Sequence, residues 1–198
     1  PSDVTSIDQI PFLPIQFFKT HRVLSSENSI KQTFTSSGTS GSITSMHFVT
    51  DLEIYKQSFR KSFESFYGSI EDYVVLALLP SYLERDGSSL VYMVNDMITQ
   101  SKQPESGFYL DNLEALKDTL IKVDASHKKV LLISVSFALL DLVESHRFNL
   151  KNTIVMETGG MKGRRKELVR SELHTILQKG FGVKTIHSEY GMTELLSQ

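Results

Sequence analysis

The chain has 198 residues, 40% of them hydrophobic and 22% charged, and its formal net charge is -2. This mix is typical of a globular domain with its own core, and the small net charge excludes an overall electrostatic preference for nucleic acid or an anionic membrane. The absence of cysteine excludes disulfides, thiolate nucleophiles and cysteine metal sites within these residues, and it fits a reducing, cytoplasmic location.

No signal for membrane insertion or export appears in the sequence. No apolar run reaches the ~18 residues that a transmembrane helix needs. Residues 1–14 lack the basic and apolar regions of a signal peptide. Because the chain begins at Pro1 and stops at Gln198 directly after a motif, we expect it to be a fragment of a longer protein.

The N-terminal third predicts short extended pieces and then one amphipathic helix. Pro11 and Pro14 disfavour a regular helix in the first 34 residues. Further along, Thr50 and Glu53 have the spacing of a capping box, and Gly68 is a plausible helix end. Between them runs an apolar face with helical spacing, made of Leu52, Tyr55, Phe59, Phe63 and Phe66.

The remaining residues alternate between predicted strands and helices. Strands are predicted at 73–79, 107–110, 129–135, 153–157 and 183–187. Helices are predicted at 87–100 and 137–146. Another helix is predicted to begin at Asp111 and Glu114, with an inward face made of Leu113, Leu116 and Leu120. The last predicted helix covers 164–179 and ends before Gly180, and its inward face is made of Val169, Leu173, Ile176 and Leu177. This alternation predicts an α/β domain with a mostly parallel sheet flanked by helices, whose ligands would lie beyond the carboxyl ends of the strands.

The stretch TSSGTSGSITS, residues 35–45, has the composition of a phosphate-binding loop or of a flexible linker. Its glycines permit close backbone approach, and its hydroxyls and successive N–H groups can hold an anion. It lacks the pattern of a Walker loop and that of a dinucleotide fingerprint. Composition alone favours the linker.

A second motif, ETGGMKGRRKE at 157–167, places four cations before or within the first turn of a predicted helix. The helix dipole disfavours cations there, so either neighbouring acids and solvent compensate or the cations face a nucleotide or acidic partner. The cations are Lys162, Arg164, Arg165 and Lys166.

The third motif is SEYGMTE, residues 188–194, which follows a predicted strand. Tyr190 could stack on a base, Thr193 could bond a phosphate and Glu194 could bind Mg²⁺. An ordinary strand-to-helix turn with Thr193 as N-cap explains the pattern equally well.

Taken together, the motifs resemble the adenylate-forming superfamily of acyl-CoA synthetases, luciferases and peptide-synthetase adenylation domains. Its pattern [ST]SGT[ST]G is followed here, about 150 residues later, by YGxTE. More narrowly, FTSSGTSG, FKTH at 18–21, ETGGMKGR at 157–164 and SEYGMTELLSQ at 188–198 resemble the acyl-protein synthetase (LuxE) family, which is related to phenylacetate-CoA ligases.

The resemblance implies that residues 1–198 are part of the large N-terminal domain of such an enzyme, without its C-terminal lid domain. It implies ATP and Mg²⁺ as cofactors. The implied contacts with the ATP phosphates come from Ser36, Ser37, Gly38, Thr39, Ser40 and Gly41. Those with adenine come from Gly159, Gly160, Tyr190 and Gly191. Thr193 would contact the α-phosphate, Glu194 would hold Mg²⁺, and Phe137, Ala138 and Met192 would border the acyl pocket.

The implied reaction activates a fatty or other carboxylic acid as an acyl-adenylate and then passes the acyl group to a protein thiol. Transfer to CoA, as in the phenylacetate-CoA ligases, and a non-catalytic nucleotide-binding module are the alternatives. Many superfamily members carry a lysine where this chain has Thr44. His47 is a candidate substitute, and the alternative is an ordinary surface or core histidine, which is the commoner case for a lone histidine. The family's ribose-binding aspartate, catalytic lysine and acyl-carrying cysteine would lie beyond Gln198, so we expect the 198-residue chain to be inactive by itself.

Overall fold

The structure is a computed structural model. It describes residues 4–36, 43–79, 87–110, 112–159, 161 and 163–196.

A five-stranded parallel sheet forms the centre of the fold, and a two-stranded antiparallel hairpin lies beside it. The hairpin strands are β1 (Gln32–Thr35) and β2 (Met46–Val49). The central strands are β3 (Tyr73–Leu78), β4 (Gly107–Phe108), β5 (Lys129–Val135), β6 (Thr153–Thr158) and β7 (His187–Glu189), in the spatial order β4-β3-β5-β6-β7. The predicted α/β class with a mostly parallel sheet is therefore confirmed.

Helices cover both faces of the sheet. They are α2 (Leu52–Tyr67), α3 (Ser89–Ser101), α4 (Leu113–Ala125), α5 (Ser136–Ser145) and α6 (Arg170–Phe181). The short helix α1 (Phe17–Thr20) contacts the hairpin strand β2. Residues of α2 and α3 lie over the face that carries Ile133 and Met156, whereas α6 contacts the opposite face, at Glu157. The continuous apolar strands β3 and β5 are almost completely buried between these layers. None of the described helices is long and apolar enough to cross a membrane.

Two helix starts differ from the predicted capping boxes by one residue. Asp51, not Thr50, is the N-cap of α2, and its carboxylate accepts a hydrogen bond from the Glu53 N–H at 3.0 Å. In α4 the N-cap is Asn112, whose side chain accepts from the Ala115 N–H at 3.0 Å, and Asp111 lies outside the described residues. Each N-cap oxygen satisfies one N–H that the first helical turn leaves without a partner.

The last predicted helix and strand both begin later than the sequence suggests. Helix α6 starts at Arg170 rather than 164, and β7 spans His187–Glu189 rather than 183–187. Only these last residues reach β6, where Met156 pairs with His187.

Three side chains predicted to face the core are exposed, namely Phe66, Val169 and Ile176. Leu173 and Leu177 face inward as predicted. The prediction that Gly180 lies beyond the helix end is wrong, because Gly180 is buried within α6 and Gly182 is the C-cap. Val169 is the N-cap rather than part of that face, and Phe66 stands 80% exposed in the last turn of α2.

Asp124, buried at the end of α4, anchors the start of β6. Its carboxylate accepts from the Asn152 N–H at 2.8 Å, the Thr153 hydroxyl at 2.7 Å and the Lys151 N–H at 3.0 Å.

We expect Asp124→Asn to lower the free energy of unfolding by about 2 kcal/mol, because an amide keeps only one acceptor oxygen and turns an N–H group toward other donors. Urea denaturation checks this; an unchanged midpoint would contradict the anchoring role, and Asp118→Asn, at an exposed position of the same helix, is the control.

Candidate functional site

The sheet brings separate parts of the sequence to a single edge. Because the central strands are parallel, their carboxyl ends lie together. Ser136 follows β5, Gly159 follows β6, and Tyr190 follows β7. The second and third motifs and the predicted pocket residues at the start of α5 therefore gather at this edge.

The hairpin β1–β2 joins the third motif through a direct contact. The Nδ1 atom of His47, on β2, lies 2.9 Å from the carbonyl oxygen of Thr193. The imidazole of His47 also packs against Phe18, with ring centroids 5.2 Å apart. Since 146 residues separate His47 from Thr193, this hydrogen bond reflects the tertiary fold.

The base of the hairpin loop is held closed by hydrogen bonds. The Ser36 N–H donates to the carbonyl of Ser45 at 3.0 Å, and the Ser45 N–H donates to the Ser36 hydroxyl at 2.9 Å. The Thr35 N–H donates to the carbonyl of Gly87 at 2.8 Å. A glycine suits position 87, because its φ is +84° and a Cβ would lie 3.1 Å from the Thr33 carbonyl.

The loop that this base supports carries most of the predicted phosphate contacts. Ser36 belongs to the base just described. Ser37, Gly38, Thr39, Ser40 and Gly41 lie outside the described residues, and their predicted role stays a prediction.

The third motif forms a turn rather than the start of a helix within the described residues. The Leu195 N–H donates to the Met192 carbonyl at 3.0 Å. Tyr190 is 74% exposed, so its ring is accessible at the sheet edge. Gly191 is exposed next to it, while Met192, Thr193 and Glu194 are half-buried.

The second motif leaves room at the same edge. Among the described residues, no atom would lie within 4 Å of a Cβ built on Gly159, so the backbone there borders space that they leave open. Its neighbour Gly160 lies outside the described residues, and so does Lys162.

Two arginines of this motif interact with α5. The guanidinium of Arg165 bonds the carboxylates of Asp141 and Glu144 and lowers the pKa of the Glu144 carboxyl. Arg164 lies over the ring of Phe137, 4.9 Å from its centroid. The carboxylates of α5 thus compensate the positive charge of Arg165. Because α6 begins at Arg170, both arginines precede its first turn.

Phe137 and Ala138, predicted to border an acyl pocket, are almost completely buried at the start of α5. Their position next to Gly159 at the sheet edge follows from the pairing of β5 with β6. Their predicted role stays a prediction, as does that of Met192.

Below the sheet edge, Glu157 links three elements. Its carboxylate, 5% exposed, accepts from the Ser188 hydroxyl on β7 at 2.6 Å and from the Ser136 hydroxyl on α5 at 3.1 Å. The Nε2 atom of His174, on α6, lies 3.4 Å from it. Because Nε2 is the atom near both Glu157 and Ser188, this arrangement is not a catalytic triad, in which the two imidazole nitrogens have different partners.

On the opposite sheet face, between the sheet and helices α2 and α3, lies a cavity of about 280 Å³. This volume is close to the lower limit of ~300 Å³ for small-molecule sites. The exposed side chains of Phe66 and Tyr190 line the cavity. Methionines also line it, and their flexible side chains can adjust to ligands of different shape. The wall also includes Phe59, Phe63, Met93, Met97, Ile133, Met156 and Glu189.

The sequence analysis missed Glu157 and Glu189 as site residues. Both carboxylates stand at strand ends. For Glu157 the signal was an acidic residue completing the apolar run TIVM, whereas β7 (His187–Glu189) has no apolar run that could have identified Glu189. Within the described residues, no cluster of three or more His, Asp or Glu side chains suits a resident metal.

Comparison with protein families gives one match. Residues 2–63 match the model of the family described as acyl-protein synthetase, LuxE. The match contains FKTH and the Ser/Thr/Gly loop, and over this segment it confirms the predicted resemblance and supports an acyl-protein synthetase function in general. Comparison with curated proteins and with solved structures found no match.

Proposed function

We propose that this chain forms the ATP- and acid-binding part of an enzyme that activates a fatty or other carboxylic acid as an acyl-adenylate. The observation that carries the proposal is the His47–Thr193 hydrogen bond at the carboxyl edge of the sheet. It joins the hairpin bearing the Ser/Thr/Gly loop to the YGMTE turn, as a single nucleotide site would require. The family match to residues 2–63 supports the same conclusion independently.

In this proposal the nucleotide lies along the sheet edge. The exposed ring of Tyr190 stacks on adenine, and the open space at Gly159 admits the base against the backbone. Loop hydroxyls and N–H groups bind the β- and γ-phosphates, and Thr193 donates to the α-phosphate. His47 positions this turn through the Thr193 carbonyl.

The half-buried carboxylate of Glu194 is suited to Mg²⁺, which is usually held by one or two carboxylates together with substrate phosphates. When bound, Mg²⁺ would neutralise charge on the triphosphate. The substrate carboxylate then attacks the α-phosphorus, the bond to the β-phosphate oxygen breaks, and pyrophosphate leaves. Glu194 and Thr193 align the two reacting groups, which otherwise repel each other.

The cavity behind Tyr190 provides a site for the acyl chain. Its apolar wall would shield the chain, while the carboxylate remains at the sheet edge near Tyr190. In the second step the acyl group passes to an acceptor, for which the family match favours a protein over CoA.

Pyrophosphate exchange tests the proposal, measured with the full-length enzyme that contains this chain, together with Mg·ATP and a series of fatty acids. We expect exchange that depends on the acid, and a KM for ATP about tenfold higher in Gly159→Ala, because the added methyl group occupies the space assigned to adenine. The thermal midpoint should not change, since a Cβ at Gly159 meets no atom of the described residues.

Gly107→Ala is the matched control, because a Cβ on Gly107 also meets no atom but lies on β4. It should leave the KM for ATP unchanged. Absence of exchange with every acid tested would contradict the proposed function, and equal KM values in both variants would contradict the adenine position.

A further inference from the structure

Glu189 brings a carboxylate to a mostly apolar cavity wall, whose other polar members are serines and tyrosines. In the register of the sheet, Glu189 pairs with Thr158, two residues after Met156, so it faces the same side of the sheet as Met156. The cavity wall includes both side chains, together with Ile133 and Met97. Thr158 supplies a side-chain hydrogen bond to the carboxylate.

Within the described part of the chain, the second carboxylate oxygen, Oε1, has no hydrogen-bond partner, and it is covered from solvent. A buried polar atom left in this state destabilises the fold, so an unsatisfied acceptor beside a cavity calls for an explanation. Burial raises the pKa of Glu189, and the nearby charge of Glu157 adds to the effect. The surroundings of Glu189 therefore disfavour the charged form of its carboxyl group.

We propose that Glu189 makes this cavity selective for carboxylic acids whose apolar chain carries a hydroxyl group. The inference rests on the proposed function and specifies its substrate class. The terminal torsion of a glutamate is broad, so a small rotation turns Oε1 toward a ligand in the cavity. A hydroxyl on the chain then donates to Oε1, while the methylene groups contact the methionines and Ile133.

A hydroxyl on the acyl chain fits this position better than an unsubstituted alkyl chain or a chain with an ammonium group. A plain alkyl chain would leave Oε1 without a partner, and a site with an unpaired buried polar group rejects such an analogue strongly. An ammonium group would have to lose its hydration in apolar surroundings, at a much higher cost than a hydroxyl. Because a hydroxyl both donates and accepts, it pairs with either protonation state of the carboxyl.

The test compares decanoic acid with hydroxydecanoic acids carrying the hydroxyl near the carboxyl group, at mid-chain or at the far end. Binding to the protein is measured by calorimetry without ATP, and kcat/KM by pyrophosphate exchange. We expect one positional isomer to exceed decanoic acid by about tenfold or more in both measurements. In Glu189→Leu the order should reverse, because leucine accepts no hydrogen bond and favours the plain chain.

Two further variants make the test robust. Glu189→Gln keeps the shape and one acceptor oxygen and should retain the preference in reduced form, which covers the case in which the leucine variant does not fold. Glu172→Leu, exposed on α6, should leave the preference unchanged.

Equal binding of decanoic acid and all its hydroxy isomers to the unmodified protein would overturn the inference. The possible failures are distinguishable. Exchange with no preference among the acids contradicts the specificity of Glu189 and leaves the proposed function standing. A calorimetric preference without any exchange contradicts the proposed function instead.

Discussion

Replacing Glu194 by glutamine should lower pyrophosphate exchange by about a hundredfold to a thousandfold, comparable to removing one charge-stabilising group from an active site. The amide is neutral and is a much poorer Mg²⁺ ligand than a carboxylate. The position is half-buried within a turn, and in the described part of the chain Glu194 forms no ion pair. The free energy of unfolding should therefore change by no more than about 0.5 kcal/mol.

A magnesium titration separates this explanation from a general loss of activity. The glutamine variant should require more Mg²⁺ for half-maximal exchange, whereas Glu172→Gln, an exposed position on α6, should behave like the unmodified protein. A variant with normal exchange and a normal magnesium requirement would remove Glu194 from the metal site. A variant that unfolds more easily would show that the carboxylate has a structural role.

The strands were the most predictable elements of this fold. Residues 73–79, 129–135 and 153–157 are nearly continuous apolar runs, and a strand buried on both faces needs such a run. The observed β3, β5 and β6 agree with these three predictions to within one residue, whereas β4 ends at Phe108, two residues before the predicted end at 110. Helix α2 was also predictable, since Tyr55, Phe59 and Phe63 follow its inward face.

The misplaced boundaries have tertiary causes. The predicted start of α6 at 164 failed because Arg165 bonds carboxylates on α5, so the helix begins only at Arg170. The predicted strand 183–187 failed because pairing with β6 begins at His187. Neither interaction leaves a local pattern in the sequence.

The site was predictable as a set of motifs but not as an arrangement. Motif order and spacing indicated which residues belong together, and the sheet edge gathers Gly159 and Tyr190 as parallel strands require. The contact of His47 with Thr193 could not be derived, because nothing local relates residues so distant in the chain. That Oε1 of Glu189 has no partner among the described residues depends on its three-dimensional surroundings, which the sequence does not show.

The second large effect concerns the close contact between α5 and α6. A Cβ built on Gly180 would lie 2.5 Å from the Cβ of Val143 and 2.6 Å from its Cγ1. No rotation of Val143 can move its Cβ, so the two helices must separate to admit even one methyl group. The separation disturbs the packing of buried Leu177 and Phe181 as well.

We therefore expect Gly180→Ala to lower the free energy of unfolding by about 3 kcal/mol, the upper end of the cost of overpacking. Helix propensity acts in the opposite direction, but alanine gains only about 1 kcal/mol over glycine in a helix, so the overlap decides the sign. Guanidinium denaturation measures the change, with Gly107→Ala as a control that meets no neighbour. Val143→Ala removes both Cγ atoms but keeps the Cβ, so the double variant should recover part of the loss.

If Gly180→Ala proved more stable than the unmodified protein, as propensity alone predicts, α5 and α6 could not be as close as described. In that case the placement of His174 beside Glu157, which depends on α6, would have to be revised too.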